Sequence, residues 1–145
     1  MKIGAIPQSA LEWLALRLER APRALVDTHA AMLLARTIMA GAELKLFDAL
    51  AARPLTAEET AAACGSSAGP TALLLDALAA CGYLSFSNGR FALTRRARPW
   101  LLSAGPSSVR DKLLLQIAEW RWLETLEDFV RSGRPLDFHA SMSPE

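Results

Sequence analysis

The chain has 145 residues, one domain's worth, enough to bury roughly two-thirds of its unfolded surface. Sixteen Lys and Arg against fifteen Asp and Glu leave a formal charge of +1, which implies no strong electrostatic partner overall. Hydrophobic residues make up 52% and mean hydropathy is +0.18, apolar for a small monomer, so the excess calls for a membrane or a partner surface.

A membrane span does not fit. The longest uncharged stretch, residues 60–75, contains Gly65, Ser66, Ser67, Gly69 and Pro70, whereas a spanning helix needs about 20 mostly apolar residues. The N-terminus has Lys2, then Pro7, Gln8, Ser9 and Glu12, with no apolar signal core. A partner surface is the better reading. Cys64 and Cys81 have no CxxC neighbour and no nearby His, so they read as two free, buried thiols of a cytosolic protein, which places the chain in the cytoplasm. No metal site is expected.

In chain order, the pattern predicts a short helix over 12–20 carrying Leu11, Leu14, Leu16 and Leu18, closed by Pro22. A longer helix is expected from Arg23 towards Leu50, apolar over most of its circumference, with charges after its first turn only at Asp27, Arg36, Glu43, Lys45 and Asp48. One small domain cannot wrap such a helix fully. Each side chain left bare forgoes about 1.5–3 kcal/mol, and a second protomer is the natural cover.

Residues 56–93 read as helix, turn, helix and a two-stranded wing. Thr56 and Glu59 form a Thr-x-x-Glu capping box, and the first helix runs to Cys64. Ser67 is a fair cap for the second helix, Pro70 is tolerated in its first turn, and Gly82 is its left-handed stop. Leu84 and Phe86 alternate with Ser85 and Ser87, then Asn88-Gly89 turns the chain and Phe91 and Leu93 resume the alternation. The expected fold class is therefore mainly α, a winged helix-turn-helix with a small β-hairpin wing and long flanking helices.

Such a fold commonly holds DNA. Here its charges are only Glu58, Glu59, Asp76 and Arg90, a net acidic set where phosphate asks for Lys and Arg. In the second helix, Thr71, Leu74, Leu75 and Asp76 offer almost nothing to a base edge. A DNA-binding regulator stays open as the alternative because Arg95, Arg96 and Arg98 follow the wing; the plainer reading of that cluster is a solvated face. A last helix, capped at Ser108, is expected to run to about Ser132 before Gly133 and Pro135. Leu113, Ile117, Trp120, Leu123 and Val130 form one apolar stripe on it, Trp122, Leu126 and Phe129 a second, while Arg121, Glu124, Asp128 and Arg131 share the wet face. Two stripes imply two partners. Ser143-Pro144-Glu145 opens like another helix, so the chain reads as cut where a further domain begins.

Four runs carry a resemblance: ARTIMAGAELKLFDAL at 35–50, LTAEETAAACG at 55–65, LDALAACGYL at 75–84 and FALT at 91–94. In this order they resemble the N-terminal dimerisation domain of bacterial class I S-adenosylmethionine-dependent O-methyltransferases, over nearly the whole chain after Arg23. The resemblance implies an N-terminal helical arm at 1–22 and a winged-helix dimerisation domain at 23–145, paired in a homodimer. Leu25, Met32, Leu33, Ile38, Met39 and Leu46 are then the candidates for the dimer interface. It also implies that a following Rossmann-type domain holds S-adenosylmethionine. Trp120, Trp122 and Phe138 become candidates for the wall over an aromatic or polyketide-type acceptor, a natural-product substrate.

The eight glycines include no Gly-x-Gly pair, so the cofactor turn is missing from this segment. His29 and His139 lack paired acids and read as structural hydrogen-bonders. No cofactor-binding, metal or catalytic residue is expected here, and methyl transfer is expected only from the longer parent. A parent that kept the fold and changed its chemistry is the third reading.

Overall fold

The computed structural model of the chain describes residues 7, 9–18 and 22–134. The chain falls into two compact units, Met1–Ile38 and Met39–Glu145. The first holds α1 (Ala10–Arg17) and most of α2 (Arg23–Glu43). Ser9 starts α1 two residues earlier than the apolar pattern suggests, because its Oγ accepts the Glu12 N–H at 3.2 Å. α2 starts one residue after Pro22, whose carbonyl accepts the Val26 N–H at 3.1 Å. Among the described residues of this unit, Leu11, Trp13, Leu14, Leu18, Leu25, Met32, Leu33 and Leu34 are all exposed.

The second unit contains the core. The long helix expected towards Leu50 is broken. α2 stops at Glu43, Lys45 adopts left-handed backbone (φ 58°, ψ 28°), and α3 (Leu46–Ala49) sets off anew. The break turns Leu46, Phe47 and Leu50 inward, where each is at most 1% exposed. α4 (Ala57–Cys64) and α5 (Ala68–Ala80) pack together and complete the helix-turn-helix. α4 carries the expected capping box, with Glu59 N donating to Thr56 Oγ1 at 3.2 Å and Thr56 N donating to the Glu59 carboxylate at 2.8 Å. Gly65 closes α4 in the left-handed conformation. Ser67 occupies the cap position of α5 without a side-chain bond, while Ser66 Oγ pairs instead with the Thr71 hydroxyl at 2.8 Å.

β1 (Leu84–Ser87) and β2 (Arg90–Leu93) form the antiparallel hairpin in the register Leu84–Leu93 and Phe86–Phe91. Asn88 and Gly89 both have positive φ, as a two-residue hairpin turn requires. On its other edge β2 exchanges two backbone bonds with Leu55, at 3.0 and 2.7 Å, which ties the hairpin to the entrance of α4. Leu75, Leu78, Leu84, Phe91 and Leu93 join α3 in one core, with Thr60 and Thr71 the buried polar side chains among the described residues. Thr60 is tolerated there because its hydroxyl donates to the Thr56 carbonyl at 2.7 Å.

α6 (Arg98–Leu101) buries Leu101 and is joined to α3 through Ser103, whose N–H and hydroxyl both donate to the Asp48 carboxylate at 2.9 and 2.8 Å. The last expected helix is also two. α7 (Arg110–Leu123) ends at Glu124, and α8 (Leu126–Ser132) follows a turn in which the Thr125 hydroxyl donates to the Trp122 carbonyl. Competition of that hydroxyl for a helix carbonyl favours the break. Ser108 does serve the start of α7, accepting the Arg110 N–H at 3.2 Å.

Candidate functional site

The surface most in need of a function is the apolar one. On α2, Leu25 is 62% exposed, Leu33 51% and Met32 45%. Ile38 is half-buried. Met39 and Leu46, expected beside them, are core residues at 6% and 0% exposure, so neither has apolar surface left to offer a partner. For Leu46 the separation follows from the break at Lys45, beyond which residues no longer continue the α2 stripe; Met39 lies within α2, near its end, where the helix enters the core. Sequence reasoning missed Leu34 on α2 and Trp13 on α1, both exposed; Trp13 carries the Arg17 guanidinium 5.1 Å from its ring centroid.

Neither α7 nor α8 buries a single residue among those described. Leu126 and Phe129 leave the second stripe largely bare, while the first is half-buried at Leu113, Ile117 and Trp120 and exposed at Leu123 and Val130. Trp120 and Trp122 are half-buried on α7. Two positions apart on a helix is about 200° of rotation, so the two indoles do not form one wall. Phe138 and His139 lie outside the described residues. His29 is exposed on α2.

An open recess of about 430 Å³ lies between the end of α2 and α7, lined by Glu43, Arg110, Leu114, Ile117, Ala118 and Arg121. Arg110, Leu114, Ile117, Ala118 and Arg121 recur at helical spacing on one face of α7. That signal was available in the sequence, but the apolar stripes beside it drew the reading instead.

The thiols differ from expectation. Cys64 is half-buried and Cys81, at the C-terminal end of α5, is exposed; both are free. Burial pushes the Cys64 thiol up, with a smaller push from the Asp48 charge. Among the described residues no three His, Cys, Asp or Glu side chains gather as metal ligands, and no helix is long and apolar enough to cross a membrane.

In α5, the helix that would have to read DNA, Thr71 and Leu75 are buried in the core, and Leu73 and Asp76 are exposed. Glu59 and Arg90 are paired with each other at 2.6 Å. Arg95, Arg96 and Arg98 are exposed after the hairpin.

Residues 27–103, just over half of the chain, match the O-methyltransferase dimerisation domain. The chain belongs to that family. Acetylserotonin O-methyltransferase of Mus musculus is 36% identical over 126 residues, which cover 81% of this chain and 32% of the mouse protein. The crystal structure of human N-acetylserotonin methyltransferase in complex with S-adenosylmethionine superposes with a TM-score of 0.74 at 28% identity, over 84% of this chain and 37% of the human one. A riboflavin-type dimethyltransferase, the N,N-8-amino-8-demethyl-D-riboflavin enzyme of Streptomyces davawensis, gives 0.68 at 31% identity, over 79% and 35%. The chain thus spans about a third of the length of the relatives it matches. The matched stretch of the dimerisation domain starts inside α2 and ends just after α6, so it holds Met32, Leu33 and Ile38 but neither Leu25 nor the tryptophans of α7. Nothing in these likenesses supports the DNA-binding alternative.

Proposed function

We propose that the chain is the dimerisation and substrate-lid portion of a S-adenosylmethionine-dependent O-methyltransferase, non-catalytic by itself. In this reading the arm at 1–22 and the winged-helix unit at 23–145 pair with a second copy. Leu25, Met32 and Leu33 carry the contact and Ile38 lies at its margin. The observation that carries the proposal is a family member whose α2 leaves large apolar side chains bare over three turns. Covering Leu25, Met32 and Leu33 stabilises by about 1.5–3 kcal/mol for each that is fully buried, enough to overcome the cost of association only when several act together.

S-adenosylmethionine is assigned to the rest of the parent, since no Gly-x-Gly turn exists here to approach it. Human N-acetylserotonin methyltransferase, which superposes on this chain, was solved with that cofactor. Trp120 or Trp122, with Phe138, roofs the cleft for an aromatic or polyketide-type hydroxyl acceptor in a cytoplasmic natural-product pathway. Because the two indoles diverge on α7, one of them faces the acceptor and the other does not.

Light scattering after size-exclusion chromatography tests the pairing. A dimer at micromolar concentration is expected, and Leu25→Asp with Leu33→Asp should give a monomer that keeps its helical circular dichroism. A wild-type monomer at that concentration overturns the reading. The lid is tested in the full parent: Ala at one of Trp120 and Trp122 should raise the acceptor KM while cofactor affinity stays fixed. An acceptor KM untouched by either substitution removes both from the cleft.

A further inference from the structure

α2 carries a titratable ring inside its bare apolar stripe. At about 100° per residue, Leu25, Met32 and Leu33 span an arc of about 100° on the helix, and His29 and Arg36 both fall within it. All five are exposed. His29 stands one turn from each of the three apolar side chains, four positions after Leu25, three before Met32 and four before Leu33. The expected structural hydrogen bond is not made: among the described residues His29 has no hydrogen bond and no ion pair. The fold of this unit leaves the imidazole unused.

We propose that His29 makes the pairing of this chain sensitive to pH, the dimer holding while the imidazole is neutral and coming apart as it takes a proton. This rests on the reading that a second copy covers the bare stripe of α2. Covering that stripe withdraws the ring from water among Leu25, Met32 and Leu33, and such burial disfavours the charged form. The charges around it do not offset the cost. Asp27 lies about 160° round the helix from His29, while Arg36 shares its arc two turns on and adds repulsion. Arg36 has a stem long enough to carry its guanidinium to the edge of an interface, whereas the imidazole hangs on one methylene. α1, the other helix of this unit, brings Glu12 and Arg17, and neither Glu12 nor Asp27 forms an ion pair with His29. The free chain therefore binds more protons than the paired one, and falling pH draws the equilibrium towards the monomer. An isologous interface repeats the site on both copies, so two protons act on each dimer. An imidazole ordinarily titrates near pH 6.5, so neutrality required in both copies weakens pairing about 100-fold between about pH 7.5 and 5.5. Water reaching the ring reduces that figure, and a rise of at least about tenfold in the dissociation constant is expected.

The test uses the full chain carrying His139→Gln, which leaves His29 as its one histidine. Sedimentation over a dilution series at constant ionic strength reads the dimer dissociation constant at about pH 7.5 and 5.5, on either side of the range where histidine changes charge. A dimer at the higher pH that weakens at least about tenfold at the lower one, with unchanged helical circular dichroism, is expected. His29→Gln and His29→Leu, each added to that chain, should still pair and should lose most of the pH dependence. A monomer at the higher pH removes the second copy from α2 and overturns the proposed dimer together with this inference. A dimer that holds equally at both values, one that tightens on acidification, or a rise that survives both His29 substitutions overturns the inference alone.

Discussion

Arg90 donates from Nη1 to the Glu59 carboxylate at 2.6 Å, and the same oxygen accepts the Thr56 N–H at 2.8 Å. One side chain thus closes the α4 capping box and ties the hairpin to the helix it follows, while Arg53 approaches the other carboxylate oxygen at 3.4 Å. Two of the four charges in the helix-turn-helix and hairpin are consumed internally. Thr56→Ala should lower unfolding stability by about 1 kcal/mol, read from the urea midpoint. Arg90→Ala should cost less, because the pair is partly solvated.

The same carboxylate sets an acid limit. The Thr56 N–H holds Glu59 below the usual carboxylate range, against partial desolvation and with help from Arg90 and Arg53. A carboxyl depressed in the folded chain stabilises above its unfolded value, and that stabilisation is lost as pH falls from that value through the lowered folded one. Stability should therefore decline on acidification, and Glu59→Gln should flatten the decline. Equal slopes for the two proteins would remove Glu59 from the cause.

Gly41 lies in α2 where a side chain has no room. A Cβ built there would stand 2.8 Å from the tip of the Phe47 ring and 3.3 Å from Leu78. Phe47 and Leu78 are fully enclosed, so neither can step aside without repacking the core. Alanine is the better helix former by about 1 kcal/mol, yet overpacking at such a contact costs about 1–3 kcal/mol. Gly41→Ala should be net destabilising, and pairing it with Phe47→Leu should recover part of the loss. Thermal melts of the single and double variants decide the matter.

How much of this was legible follows from where local signals compete. The capping box, the Asn88-Gly89 turn and the Gly82 stop are local, short-range chemistry, and the helix-turn-helix and hairpin could be drawn from them. The breaks at Lys45 and at Glu124–Thr125 could not: at Lys45 the packing of Leu46, Phe47 and Leu50 overrode the propensity of good helix formers, and at Thr125 a hydroxyl competing for the Trp122 carbonyl ends a helix that buries nothing. Leu46 was misplaced through the break at Lys45, and Met39 because the pattern does not show where along α2 the core begins. Phe86 was expected on the inner face and does stack on Phe91 with centroids 4.7 Å apart, but at the hairpin tip it remains 58% exposed because no element covers it.

The two thiols should react at different rates. Cys81 is exposed, whereas Cys64 is half-buried with its thiol pushed up by burial, which lowers its thiolate fraction at neutral pH. Under limiting maleimide, mass mapping should find Cys81 modified well before Cys64. Raising the pH should narrow the gap. Equal rates at neutral pH would mean that α4 opens readily at its C-terminal end.

Lys45 offers the sharpest check on the break that separates core from partner surface. Its backbone sits at φ 58°, ψ 28°, and its side chain is exposed with no bond or ion pair among the described residues. For a residue with a Cβ that conformation costs about 1–2 kcal/mol, while glycine adopts it freely at an entropic cost of about 0.5–1 kcal/mol in the unfolded chain. Lys45→Gly should therefore stabilise by up to about 1 kcal/mol, and Lys45→Val, β-branched and poorly suited to positive φ, should destabilise. If α2 instead ran unbroken through Lys45, the order would reverse, since valine is tolerated inside a helix better than glycine. The ranking of the two melting temperatures thus reads the backbone at one residue, and with it whether Leu46, Phe47 and Leu50 belong to the core.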